Sequence, residues 1–284
     1  MPLVSCKEMV TDAYANGYAV AQLNANGGTY DLARAMLEAA EELRSPLIVG
    51  AYESNCEYAG IDYVGANLQV LIERFAPSVP VAIHLDHGHS VESTQRAAEA
   101  GFTSVMFDGS QLPLAENIAV MKQVCDMAHE RGLTAEGELG HLLDGTPDPD
   151  NVNVVRVSDV RAFTAEAPVD MLAVAIGNSH GFYKGEPKLN MERLREVRQA
   201  TDVPLVLHGT TGLKKEQIRE CISLGMAKVN LGTILRTNYI KHYQDLAATF
   251  DHQGHPWRIA EQVKNRMKDE CAAFLRLVGS NGKA

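Results

Sequence analysis

The chain has 284 residues, 45% of them hydrophobic and 22% charged, enough to bury a large core as two modest domains or as one α/β barrel. A formal net charge of −10 with no basic stripe argues against nucleic-acid binding. Cys6, Cys56, Cys125, Cys221 and Cys271 are odd in number, scattered and never in CxxC spacing, which disfavours a disulfide framework and a thiolate zinc knuckle and points to a reducing, cytoplasmic compartment. No stretch approaches the ~18 apolar residues of a membrane span.

In chain order, a leading helix near residues 5–15 precedes the first of eight short apolar runs with strand character. They are YAVAQLN (18–24), PLIVGAY (46–52), PVAIHLD (80–86), FTSVMFD (102–108), LTAEGEL (133–139), DMLAVAIG (170–177), PLVLHG (204–209) and AKVNLG (227–232). Segments of helical period lie between them, among them YDLARAMLEAAEELR and AENIAVMKQVCDMAHERG, several with Gly or Pro stops. Eight strand-helix repeats predict a closed (β/α)8 TIM barrel, one domain over residues 1–284, with an N-terminal helix and a helical C-terminal tail from about 234 to 277. A doubly wound sheet is the alternative, but LNANGG lacks GxGxxG spacing. The segment 140–153, rich in Pro, Asp, Gly and Asn, is the place for a lid.

A barrel carries its site at the C-terminal strand ends, and here these are strongly polar. They present Asn24, Tyr52, Asp86 with His87, Asp108, Glu136 with Glu138, Asn178 with His180, His208, and Asn230. A lone histidine after a strand is most often hydrogen-bonded packing. His87, His180 and His208, each followed by glycine and each from a different strand end, instead suit one zinc ion with a position left for substrate. His84, on the same strand face as Asp86, reads as support behind the ligands; His89 begins the next helix and faces solvent, and His141 is either loop structure or site. His129, His242, His252 and His255 read as structural. Asp86 is a general acid/base or else an orienter of a ligand histidine. Asp108 and Glu138 are alternative ligands or outer partners, with Glu136 beside them, since an inward carboxylate is costly unless paired or metal-bound.

The turns GNSHGFYKG, LHGTTGL and VNLGT offer backbone N–H groups of Gly181, Gly209 and Thr211, hydroxyls of Thr211 and Thr233, and the Lys184 ammonium. Each alone is ordinary turn chemistry. Together, after the last strands of a barrel, they point to a small phosphorylated substrate.

The motifs HLDHG, AEGELG, AVAIGNSHGFYK, LHGTTGL and KVNLGT resemble those of the class II, zinc-dependent fructose-bisphosphate and tagatose-bisphosphate aldolases, over nearly the whole chain. The resemblance implies reversible cleavage of a ketose phosphate to dihydroxyacetone phosphate and an aldehyde. It makes Asp86 the proton donor and acceptor, His87, His180 and His208 the zinc ligands, and Asp108 and Glu138 the holders of an alternative, buried metal position. It places Gly181, Lys184, Gly209, Thr211, Asn230 and Thr233 around the triose phosphate, where a monovalent cation (Na+ or K+) often assists. It also implies a homodimer or homotetramer.

The sequence departs from the family pattern in one phosphate-side turn and, more strongly, at Tyr52, Gly232 and the 140–153 loop, which border the aldehyde half. The turn His208-Gly209-Thr210-Thr211-Gly212 keeps a hydroxyl where the family has a small residue and serine. The Gly-Gly and acidic pair expected after the fifth strand is replaced by LLDGTPDPD, in which Asp144, Asp148 or Asp150 is the candidate substitute. Tyr52 stands where a small hydroxyl residue is usual, and Gly232 where the fructose type has Asp and the tagatose type Ala. Asn24 and Arg276, the latter placed to reach a distal anion, complete the specificity candidates. The expected substrate is therefore a ketose 1-phosphate whose aldehyde product is not D-glyceraldehyde 3-phosphate. Three rival readings stand beside this one: a Schiff-base aldolase using Lys228, a zinc hydrolase of the amidohydrolase kind built on HLDH, and a non-catalytic sugar-phosphate-binding partner subunit of the same fold.

Overall fold

A computed structural model describes residues 3–145, 153–249 and 254–284. The chain begins with α1 (Cys6–Asn16), then alternates β1 (Val20–Asn24), α2 (Tyr30–Leu43), β2 (Leu47–Tyr52), the helix pair α3 (Glu53–Ala59) and α4 (Ile61–Phe75), and β3 (Val81–Gly88). It continues through α5 (Val91–Glu99), β4 (Ser104–Phe107), α6 (Leu114–Glu130), β5 (Thr134–Leu139), a two-residue β6 (Leu143–Asp144), α7 (Val157–Glu166), β7 (Met171–Val174) and a two-residue β8 (Ser179–His180). The last elements are α8 (Met191–Ala200), β9 (Leu205–Leu207), α9 (Lys215–Ser223), β10 (Met226–Leu231), α10 (Thr233–Ala247) and α11 (Pro256–Val278).

Eight parallel strands close into a barrel in the order β1-β10-β9-β7-β5-β4-β3-β2, so strands that follow one another along the chain lie side by side. This is the expected (β/α)8 architecture. The pair β6 and β8 forms a separate small sheet in which Asp144 is opposite His180. That ladder was not anticipated, because two residues carry no periodic signal. The sixth run stops early as a strand: the Ile176 N–H donates to the Asn178 side-chain carbonyl at 2.8 Å, which takes the backbone off the ladder. The helical tail divides into α10 and α11.

Two layers of packing position the site. Outside, the helices bury one face against the strands, as α2 does with Leu32, Ala33, Met36, Leu37 and Ala40. Inside, the N-terminal half of the barrel is apolar and plugged by α1, whose Cys6, Met9, Val10 and Ala13 pack with Val20, Ile48, Ala82, Met171 and Val206. Burying the methionine, valine and isoleucine side chains among them stabilises by roughly 1.5 to 3 kcal/mol each. Further along the same strands the interior turns polar, with Gln22, His84, Ser104, Glu136 and Lys228 all fully buried. Gly50 is required by close approach there: a Cβ would lie 2.2 Å from the Asn24 side-chain oxygen. The chemistry stands on this polar tier.

Candidate active site

A regular strand sends consecutive side chains to opposite faces. At the end of β3 the chain escapes that rule. Its pairing with β4 slips between Leu85 and Gly88, and His87 adopts a φ of 53°, the left-handed region uncommon for a residue other than glycine. Asp86 and His87 consequently line one cavity of about 310 Å³ at the C-terminal mouth, together with His180 and His208.

The three imidazoles form a cluster. His87 lies edge-on to both others, with ring centroids 4.8 Å from His180 and 4.9 Å from His208. His87 Nδ1 is 2.8 Å from the Asp108 carboxylate and His208 Nε2 is 3.0 Å from Glu136, while their other nitrogens face each other at 3.2 Å. Nitrogens bound to one tetrahedral zinc at ~2.0–2.1 Å would be about 3.3 to 3.4 Å apart. The buried Nε2 of His180 has no hydrogen-bond partner. Imidazole nitrogens at this spacing, one orphaned, fit a divalent transition-metal ion, which would take the place of any proton on the cluster. A second group, His87 with Asp108 and Glu138, also brings ligand atoms within 4.8 Å of one another, and Glu138 Oε2 is buried with no hydrogen bond, 3.8 Å from both His87 and His208.

Asp86 is 3% exposed and held from two sides, accepting from the Asn24 amide at 2.8 Å and the Asn230 amide at 3.3 Å. Burial works to raise its carboxyl, but His87, His208 and Lys228 outweigh burial and keep it well below the usual carboxylate range. Burial pushes the His180 imidazole down to about 3, assisted by His87 and His208. His87 goes the other way: burial disfavours its cation, yet Asp86, Asp108 and Glu138 raise it to about 10. Burial, then Asp108, push the Glu138 carboxyl well up. The protein groups alone therefore prepare a place for positive charge beside Asp86.

On the opposite wall the ends of β9 and β10 meet the start of α10. Gly209 has a φ of 68°, and a Cβ there would strike the Ser179 carbonyl at 2.2 Å, so only glycine fits this turn. The Thr211 hydroxyl accepts from the Ile234 N–H at 3.2 Å, which leaves its own proton for another acceptor. Gly181, Thr233 and Arg236 line the same wall.

The class-II fructose-bisphosphate aldolase model matches residues 4–283. The chain belongs to that family. It is 40% identical to the fructose-bisphosphate aldolase of Geobacillus stearothermophilus, over 100% of this chain and 99% of that one. It is 37% identical to the 6-phospho-5-dehydro-2-deoxy-D-gluconate aldolase of Bacillus subtilis, over 100% of this chain and 98% of that one. The crystal structure of the YdjI aldolase from Escherichia coli K12 superposes with a TM-score of 0.88 at 30% identity, covering 99% of each chain. The protein is an aldolase, a carbon–carbon lyase of carbohydrate metabolism.

The expected His87, His180, His208, Asp86, Asn24, Tyr52, Gly181, Gly209, Thr211, Asn230, Gly232 and Thr233 all line one cavity. Asp108 and Glu138 stand behind His87. Lys184 is exposed on the loop after β8 and is not among the lining residues. Arg276 is placed elsewhere: α11 ends at the N-terminal face of the barrel, where the Val278 carbonyl accepts from Ala19 and Ser280 bonds Ser45. The arginine at the mouth is Arg236, three positions after Thr233, along with Asn26, Asn55 and Phe182. Its signal was the spacing in GTILR, one helical turn beyond the turn at Gly232 and Thr233. His84 meets Ser104 and Glu136 rather than the ion position, and His89 is exposed before α5, where its ring and backbone N–H contact Glu53. Lys228 is fully buried, 2.7 Å from Glu136 and outside the cavity lining, which removes the Schiff-base reading's nucleophile. Asp148 and Asp150 lie outside the described residues, as does the side chain of Asp144.

Proposed function

We propose that the protein is a zinc-dependent aldolase that reversibly cleaves a ketose 1-phosphate to dihydroxyacetone phosphate and an aldehyde. The observation that carries this reading is the convergence of His87, His180 and His208 on one point beside an ionised Asp86. His87, His180 and His208 would hold the zinc, which when bound would supply Lewis acidity at the C2 carbonyl. Asp86 takes the proton from the C4 hydroxyl as the bond between C3 and C4 breaks, and returns it to the aldehyde oxygen in condensation. Asn24 and Asn230 aim the Asp86 carboxylate and leave it unprotonated for that step. Asp108 and Glu138 offer a second position for the ion behind His87.

The triose phosphate is assigned to Gly181, Gly209, Thr211, Asn230 and Thr233, with Lys184 at the edge and a monovalent cation, Na+ or K+, beside it. Arg236 adds a cation on this wall. On the aldehyde side, the Tyr52 ring stands 5.6 Å from that of His87, and Gly232 leaves space next to the Asn24 amide, which a Cβ would approach to 3.2 Å. Relatives of two different substrate names match at nearly equal identity, so the departures at these positions carry the assignment. They favour an aldehyde product other than D-glyceraldehyde 3-phosphate.

The active form is a homodimer or homotetramer in the cytoplasm, built from one domain spanning residues 1–284. Five buried free cysteines suit a reducing compartment. Among the described residues no helix is long and apolar enough to cross a membrane. The test is dihydroxyacetone phosphate release from a panel of ketose phosphates, with and without chelator. Release from at least one, abolished by chelation, is expected; equal release with chelator would overturn the zinc reading.

A further inference from the structure

Beneath the cavity, Glu136 from β5 and Lys228 from β10 meet across the barrel at 2.7 Å, both fully buried. Neither lines the cavity. A buried ion pair stabilises little on its own, because desolvation offsets most of the attraction, and two apolar side chains fill such a space as well. Its geometry suggests a different purpose. Glu136 uses one oxygen, Oε2, on Lys228 and its other, Oε1, on His208 Nε2 at 3.0 Å. His84 approaches Oε2 from the side at 3.5 Å and is itself anchored by Ser104 at 2.7 Å.

We propose that Glu136 is a positioning residue for the metal centre, and that Lys228 keeps its carboxylate fixed. The carboxylate takes the Nε2–H of His208, which selects the tautomer with a lone pair on Nδ1 and turns that nitrogen toward His87 Nε2, 3.2 Å away. His87 is oriented on the same principle by Asp108, but from the mouth side. The two rings are thus oriented by one carboxylate at the mouth side and by one beneath the site. The proposal rests on the reading of His87, His180 and His208 as ligands.

Glu136→Gln leaves Lys228 without a counter-charge and keeps an amide oxygen able to accept from His208, so the test uses Glu136→Met/Lys228→Met, which removes both charges and that acceptor at similar volume. Zinc affinity is measured by competition with a chromophoric chelator, and folding by thermal denaturation of the metal-free proteins. The double variant is expected to melt near the wild type yet bind zinc about 10- to 100-fold more weakly, the usual effect of losing a ligand's orienting carboxylate. Wild-type affinity in the double variant would overturn the proposal and leave the pair as core filling. Should the double variant not fold, histidine ¹⁵N spectra of the zinc-loaded wild type decide: the remaining ring N–H of His208 on Nε2 supports the proposal, and on Nδ1 overturns it. A wild type that binds no zinc defeats the ligand reading itself, a separate outcome.

Discussion

The Nε2 of His87 and the Nδ1 of His208 face each other across 3.2 Å, while the second nitrogen of each ring is engaged by a carboxylate, Asp108 for His87 and Glu136 for His208. Two lone pairs aimed at one another are repulsive unless something positive lies near both. A single shared proton answers only for this pair and leaves the buried Nε2 of His180 orphaned. One divalent ion satisfies all three.

Asp86→Asn is expected to retain zinc and fold but to lose about 10²-fold or more of turnover, since the amide matches the carboxylate in size and cannot accept the C4 proton. Metal analysis and kcat on the same preparation check this. Loss of zinc in step with activity would make Asp86 an orienter of its neighbour instead.

Acid should weaken the metal-free fold through His84. Burial, and then Lys228, push this imidazole down to about 3 from an ordinary value of 6.5. Between those values the unfolded chain binds a proton that the folded chain refuses, so stability falls as pH falls, by about 1.4 kcal/mol per pH unit for this residue. His84→Gln should flatten the dependence of Tm on pH between roughly pH 6.5 and 4.5. Parallel curves for wild type and variant would contradict the assignment.

The barrel was legible because eight apolar runs alternate with helical periods, and the histidine cluster because His87, His180 and His208 follow strands and precede glycines. The slip of β3 was not, since HLDHG reads equally well as a strand that stops at Asp86; only the positive φ of His87 shows how two consecutive residues reach one cavity. Arg276 was misplaced because sequence distance from Ser280 does not tell at which end of the barrel a returning helix finishes. Glu136 and Lys228 shared the inward parity of Glu138 and Asn230, but that they meet across the barrel depends on closure, which no local pattern encodes.

Arg236→Ala should raise KM for ketose phosphates by roughly 10- to 100-fold, the equivalent of one charge-assisted contact of about 1.5 to 3 kcal/mol. Lys184→Ala, outside the cavity lining, should raise it less. The reverse order would move the anion toward the loop after β8.

Tyr52→Ser restores the small hydroxyl usual at the end of the second strand. It should shift the ratio of kcat/KM toward fructose or tagatose bisphosphate over the preferred ketose phosphate by about tenfold, or 1.4 kcal/mol of discrimination. An unchanged ratio would show that Tyr52 does not read the aldehyde half.

Stepwise return of zinc to exhaustively chelated protein addresses the metal centre itself. With His87, His180 and His208 as the ligands, carbon–carbon cleavage is absent before zinc is added, rises in proportion to it and stops rising at about one equivalent per chain. Full cleavage activity in the chelated protein, before any zinc is returned, would contradict it.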